Sequence, residues 1–125
     1  EGSVEEMPAK NPRLLNVSQP QPVLIAQALG VTGTALTADP GATVDYVIKQ
    51  IILSNMGAAA NVVHLYIDTT TTVSPVERIM ETSVPADSTT ILYVNIRISS
   101  TKILYGNATV ANEVNVIIVG DVEAV

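Results

Sequence analysis

The sequence predicts an all-β protein: an antiparallel β-sandwich, jelly-roll-like, of about eight strands, preceded by an extended N-terminal arm. Three observations predict it. Val, Ile and Thr supply 43 of the 125 residues, and their branched side chains suit a pleated surface better than a helix. Apolar residues recur with a period of two along most of the chain. Clusters of Gly, Pro, Asn and Asp break those runs at regular spacing, the pattern of a sandwich with tight connections.

The element that organises the rest is Thr43 to Asp68, TVDYVIKQIILSNMGAAANVVHLYID. It reads as a hairpin: a long strand crowded with Val47, Ile48, Ile51, Ile52 and Leu53, a small-residue turn from Ser54 to Asn61, and a second strand. In that second strand Val63, Leu65 and Ile67 alternate with Val62, His64, Tyr66 and Asp68. A hairpin alone is marginal in water, so further strands must cover its apolar face. Lys49 and Gln50 are adjacent polar residues that break the alternation of the first arm. A β-bulge, or burial on both faces at the centre of a sheet, accounts for that.

Taken from the start, residues 1–21 carry Pro8, Pro12 and Pro20 and the acidic Glu1, Glu5 and Glu6, with no periodicity. They predict an extended arm without its own core, and residues 22–125 the sandwich domain. Leu14, Leu15 and Val17 are the arm's apolar cluster. The arm is either a solvated tail or a segment that orders against a neighbouring subunit, and these three residues are its candidate contacts. Pro22 to Leu29 is the first strand. Gly30 and Gly33 punctuate the short piece Thr34 to Thr37, and Asp39-Pro40-Gly41 is a turn, with Pro presetting φ and Gly accepting a positive one.

Beyond the central hairpin, Thr69 to Pro75 is a polar loop, and Glu77 to Val84 is a strand of weak face preference. Pro85 to Ser88 turns the chain. Thr89 to Ser99 alternates most clearly, with Leu92, Val94, Ile96 and Ile98 on one face and Tyr93, Asn95, Arg97 and Ser99 on the other. Lys102 to Tyr105 is a short strand ended by Gly106-Asn107. In the last strand, Glu113 to Val122, Val114, Val116 and Ile118 point inward. Ile117 and Val119 fall on the nominal outer face, which either a cover over part of that face or internal packing accounts for.

The chain has the length of one domain. It contains no cysteine, so neither a disulfide framework nor thiolate or zinc-cage chemistry is expected. Its net charge is −6 with six scattered Lys and Arg, which argues against a nucleic-acid partner. No apolar run reaches about 18 residues, so no membrane span is expected.

No catalytic motif stands out. His64 and Asp68 share a strand face but lie roughly 13 Å apart, too far for a hydrogen bond, so the histidine reads as a partly exposed strand residue. No G-x-S-x-G elbow marks a serine nucleophile. Asp39 and Asp45 lack the spacing of a calcium loop, and Glu77, Glu81 and Asp87 read as solvated surface acids. Catalytic, cofactor-binding and metal-ligating residues are therefore all expected to be absent. The sequons Asn16-Val17-Ser18 and Asn107-Ala108-Thr109 are about what chance gives.

The order of segments resembles the small structural modules of tailed-bacteriophage virions. The resemblance runs through VSQPQPVLIAQAL (Val17 to Leu29), the Pro40-Gly41 turn, VIKQIILSNMGAAANVVHLYI (Val47 to Ile67), VPADSTTILYVNIRI (Val84 to Ile98) and ANEVNVIIVGDVEAV (Ala111 to Val125). It implies a non-enzymatic capsid decoration (cement) protein on the virion surface, without cofactor, that stabilises the shell as a homo-oligomer, with a trimer favoured. The implied partner is the major capsid protein or another virion protein. The alternative is a receptor- or carbohydrate-binding module of a tail, neck or head fibre. Sugar platforms favour aromatic side chains, and only Tyr46, Tyr66, Tyr93 and Tyr105 are available. An enzyme is the least favoured class.

Overall fold

The structure, a computed structural model, describes residues 21–125. Leu14, Leu15 and Val17, with the remainder of the expected arm through residue 20, lie outside the described residues.

Among the described residues, eight strands form two four-stranded antiparallel sheets. In chain order they are β1 (Gln21–Ala28), β2 (Thr34–Ala35), β3 (Val44–Asn55), β4 (Asn61–Asp68), β5 (Arg78–Val84), β6 (Ser88–Ile98), β7 (Ile103–Ala108) and β8 (Val114–Ala124). A 3₁₀ turn, Pro75–Glu77, precedes β5. The first sheet has the order β1-β8-β3-β6 and the second β2-β7-β4-β5.

Every strand has a mirror partner: β1 pairs with β8, β2 with β7, β3 with β6 and β4 with β5. This is one long antiparallel ribbon, tipped by β4 and β5, rolled until β8 meets β3 and β7 meets β4. That nested pairing is the jelly roll the sequence predicts.

One expectation is corrected. Thr43 to Asp68 is not a hairpin. β3 lies in the first sheet and β4 in the second, so the two do not pair. Met56 to Ala60 carries the chain as an arch from one sheet to the other. The two strands meet through their apolar faces, and Leu53 and Val63 are both 0% exposed. A hairpin and an arch ask the same things of the sequence: alternating strands and small turn residues.

Buried amides hold the arch. The Asn55 Nδ2 donates to the carbonyls of Ala59, Val84 and Pro85 at 2.9, 3.0 and 3.2 Å. Its Oδ1 accepts from the Gly57 N–H and from the Asn61 Nδ2 at 2.9 and 3.1 Å. Asn61 continues to the Glu113 Oε1 at 3.0 Å and accepts the Val110 N–H at 2.9 Å. Each polar group carried into the interior here is partnered, as burial requires.

The core lies between the sheets. Ile48, Ile51 and Leu53 of β3 meet Val63 and Leu65 of β4, Leu104 of β7, and Val114, Val116 and Ile118 of β8. Ile48 and Ile51 both reach it because the β3 register shifts between Ile48 and Gln50 against both neighbouring strands. Lys49 is the extra residue. It faces solvent and donates to the Asn95 Oδ1 at 3.2 Å, so the expected bulge is present. Gly120 of β8 sits opposite Ile48 at this point. A Cβ there would lie 2.1 Å from the Val47 carbonyl oxygen, so the bulged backbone closes only on a glycine.

Gly106-Asn107 is also corrected. It does not end a strand but lies inside β7, which runs on to Ala108. The glycine is needed for close approach, since a Cβ would meet the His64 carbonyl oxygen at 2.9 Å. Gly41, by contrast, has φ +86° and makes the expected turn. The Asp39 Oδ1 braces that turn by accepting from the Gly41 and Thr101 N–H groups at 2.8 and 3.0 Å.

Gly120→Ala is expected to destabilise the fold by about 1–3 kcal/mol through overpacking against backbone. Ala substitution at exposed Gly41, which has no neighbour within 4 Å, meets no such overlap; its cost is limited to the about 1 kcal/mol of a left-handed backbone. Urea denaturation of the two variants checks the ranking.

Candidate interaction surface

The two sheets treat their outer faces differently. On the second sheet, Tyr66 and Tyr105 are cross-strand partners that point outward yet are 2% and 0% exposed. Their rings stack at 5.0 Å. The segment between β4 and β5 lies over them, and the Tyr105 hydroxyl donates to the Thr72 carbonyl at 3.0 Å. The Asn107 Oδ1 accepts from the Tyr66 hydroxyl at 3.3 Å, and its Nδ2 donates to the Val31 carbonyl at 3.2 Å. The second sequon is thus a strand residue with its amide engaged on both sides.

A shallow hollow of about 330 Å³ remains here, lined by Val31, Thr32, Gly33, Thr71, Thr72, Val73 and Asn107. Among the described residues, no titratable or aromatic side chain lines it. Burial pushes the Tyr105 hydroxyl above its ordinary value of 10.0, and the Asp68 and Glu77 carboxylates add to the shift.

His64 lies further along this face. Its cross-strand neighbour is Glu81, with Nε2 to Oε1 at 3.4 Å, and Arg78 meets the same Oε1 at 3.4 Å. Asp68 instead accepts the Thr69 N–H at 2.7 Å. The contact to Glu81 becomes an ion pair only when the imidazole is protonated, and exposed pairs of this kind contribute about 0–1 kcal/mol. Among the described residues, no cluster of three His, Asp or Glu is placed to hold a metal ion.

On the first sheet the outer face is open among the described residues. Register aligns Ala26 of β1, Ile117 of β8, Ile52 of β3 and Ile91 of β6 in one row across all four strands. Ile117 is 37% exposed and Ile91 46%. The next row toward the bulge holds Val119, Gln50 and Tyr93, the last 77% exposed. The row on the other side is polar: Asn115, Ser54 and Thr89, with the Ser54 and Thr89 hydroxyls 2.9 Å apart. These polar groups, with Met56, Asp87, Ser88 and Ile117, line a hollow of about 360 Å³.

The far end of this face is charged. Arg97 of β6 reaches across β3, donating to the Asp45 Oδ2 at 2.9 Å and to the Glu123 Oε1 of β8 at 3.0 Å. Both carboxylates raise the guanidinium's pKa. Val47, directly opposite Arg97, is 3% exposed although it points outward.

Ile117 and Val119 are therefore where the sequence places them, and among the described residues nothing covers Ile117, which is 37% exposed. Ile52 and Ile91 complete the row, and sequence reasoning missed them as surface residues. Their signal was the outward phase of each strand, which becomes a patch only once register sets them side by side. No protein-family model matches the chain, and no curated protein matches it.

The raised folded-state pKa of Tyr105 sets a pH dependence. Stability from its neutral hydroxyl is complete below pH 10, the ordinary tyrosine value, and is lost as pH rises through the folded-state value. Tyr105→Phe is expected to cost about 1 kcal/mol at neutral pH by removing the bond to Thr72, and to flatten the loss of stability on the alkaline side. Denaturation midpoints at neutral pH and above pH 10 check both effects.

Proposed function

We propose that this chain is a non-enzymatic structural protein of a tailed-bacteriophage virion. It decorates and stabilises the capsid surface as a homo-oligomer, with the major capsid protein or another virion protein as partner. The observation that carries this reading is the open apolar row Ala26–Ile117–Ile52–Ile91 across one face of a jelly roll. That face is flanked by a polar row and an ion-paired end, an arrangement suited to packing against a broad protein surface. Jelly rolls serve as viral capsid and lectin domains. Shared architecture with those domains and the segment order that resembles virion modules both support this role.

Antibody against the chain, applied to particles purified from its source, is expected to label intact shells over their whole surface. Label confined to one pole, or none, overturns the capsid role. In add-back to stripped shells, the double variant Ile91→Lys/Ile117→Lys is expected to bind at least about tenfold more weakly with an unchanged melting temperature. Changing Leu14, Leu15 and Val17 to Ser tests the arm in the same assay, and undiminished binding removes the arm from the attachment.

A second reading, a carbohydrate- or receptor-binding module of a tail, neck or head fibre, is favoured by one observation: hydroxyl and amide groups line both surface hollows. Neither hollow offers an aromatic platform. Specific signal on a glycan array, abolished by Thr72→Ala or Ser54→Ala, moves the assignment to that reading.

A further inference from the structure

We propose that β6 is a pairing edge and that its occupant is the β6 strand of a second copy of this chain. β6 is 11 residues long and lies at the edge of the first sheet, where β3 is its one partner among the described residues. In an antiparallel sheet, alternate residues of such a strand aim N–H and C=O away from the sheet, leaving a template for another strand.

Among the described residues the other edges carry protection and β6 does not. β2 is two residues long. β1 carries Pro22, which has no N–H to donate. β5 carries Arg78 and Glu81, and its register breaks opposite Leu65 and Tyr66. β6 has neither proline nor lysine, and its one charged side chain, Arg97, is folded back onto Asp45 and Glu123.

The inner side of β6 is incomplete as well. Leu92, Val94 and Ile96 face the core but are only partly buried, whereas Val114, Val116 and Ile118 on β8 are 0% exposed. Whatever pairs with β6 must bring apolar side chains on the inner phase and none of like charge opposite Arg97.

β6 itself meets both demands. Laid antiparallel on its own copy about a two-fold axis at Tyr93, all 11 residues overlap. Leu92 then faces the partner's Val94, and Thr90 faces the partner's Ile96, on the inner side. On the outer side Ile91 faces the partner's Asn95, and Arg97 faces the partner's Thr89. The product is one eight-stranded sheet in which each copy covers the other's half-buried residues. The contact is two-fold, where the resemblance to virion modules implies a three-fold one. It is also independent of the virion role, because it concerns the protein alone.

The test is light scattering of the full chain across a concentration series, with amide hydrogen exchange. The expected mass is twice that of the 13.1 kDa chain, with the β6 amides that point away from β3 protected only at concentrations where the dimer forms, and those bonded to β3 protected throughout. Tyr93 is 77% exposed, so Tyr93→Lys and Tyr93→Glu leave the monomer folded but place like charges face to face at the axis. Each is expected to raise the dimer Kd at least tenfold, and an equimolar mixture of the two is expected to restore pairing. A monomer at every concentration, a trimer indifferent to Tyr93, or a mixture that fails to pair overturns the proposal. So does concentration-independent protection of the outward-pointing β6 amides in a monomer, which would assign the edge to the chain's own N-terminal residues.

Discussion

The single extra residue at Lys49 is the constraint on which the sandwich depends. β3 is the strand with two long partners, β8 on one side and β6 on the other. A strand of its length without a bulge keeps one phase throughout, and either Ile48 or the pair Ile51 and Leu53 would face solvent. One inserted residue reverses the phase and turns all three inward. The cost falls on the partner strand, where Gly120 carries no side chain so that the bulged backbone can approach. Sequence position, register and packing are thus settled together by two residues on adjacent strands.

Polar chemistry is divided between interior and surface by the same logic. Asn55 and Asn61 are buried, yet they link the arch, the turn after β5 and the loop before β8. Buried amides with full sets of partners fix geometry rather than merely tolerate it. The stacked Tyr66 and Tyr105 do comparable work on the second sheet, anchoring the segment that crosses it. The first sheet has no such cover among the described residues, and its isoleucine row stands open between a hydroxyl-rich end and the Arg97 ion pairs.

Much of the fold is legible in the sequence, and the reasons are local. Period-two alternation locates β6 and the inward set of β8, and the adjacency of Lys49 and Gln50 signals the bulge. What is not legible is which strands pair. Asn, Gly and Ala after Leu53 specify a reversal of direction but not whether the chain returns in the same sheet or crosses to the other. Gly106-Asn107 has turn composition, but its glycine answers to a neighbouring carbonyl rather than to φ. The surface row is harder still, because Ala26, Ile52, Ile91 and Ile117 are far apart in the chain and no local pattern joins them.

The nested pairing has a kinetic corollary. β4 and β5, at the tip of the ribbon, are close in sequence and can associate early, whereas β1 and β8 join residues about a hundred positions apart, Gln21 against Val122. Loop closure of that span carries an entropic cost that tip contacts avoid. If assembly runs from the tip outward, the first and last strands dock at the end, and the backbone edge of β3 that pairs with β8 is among the last to close.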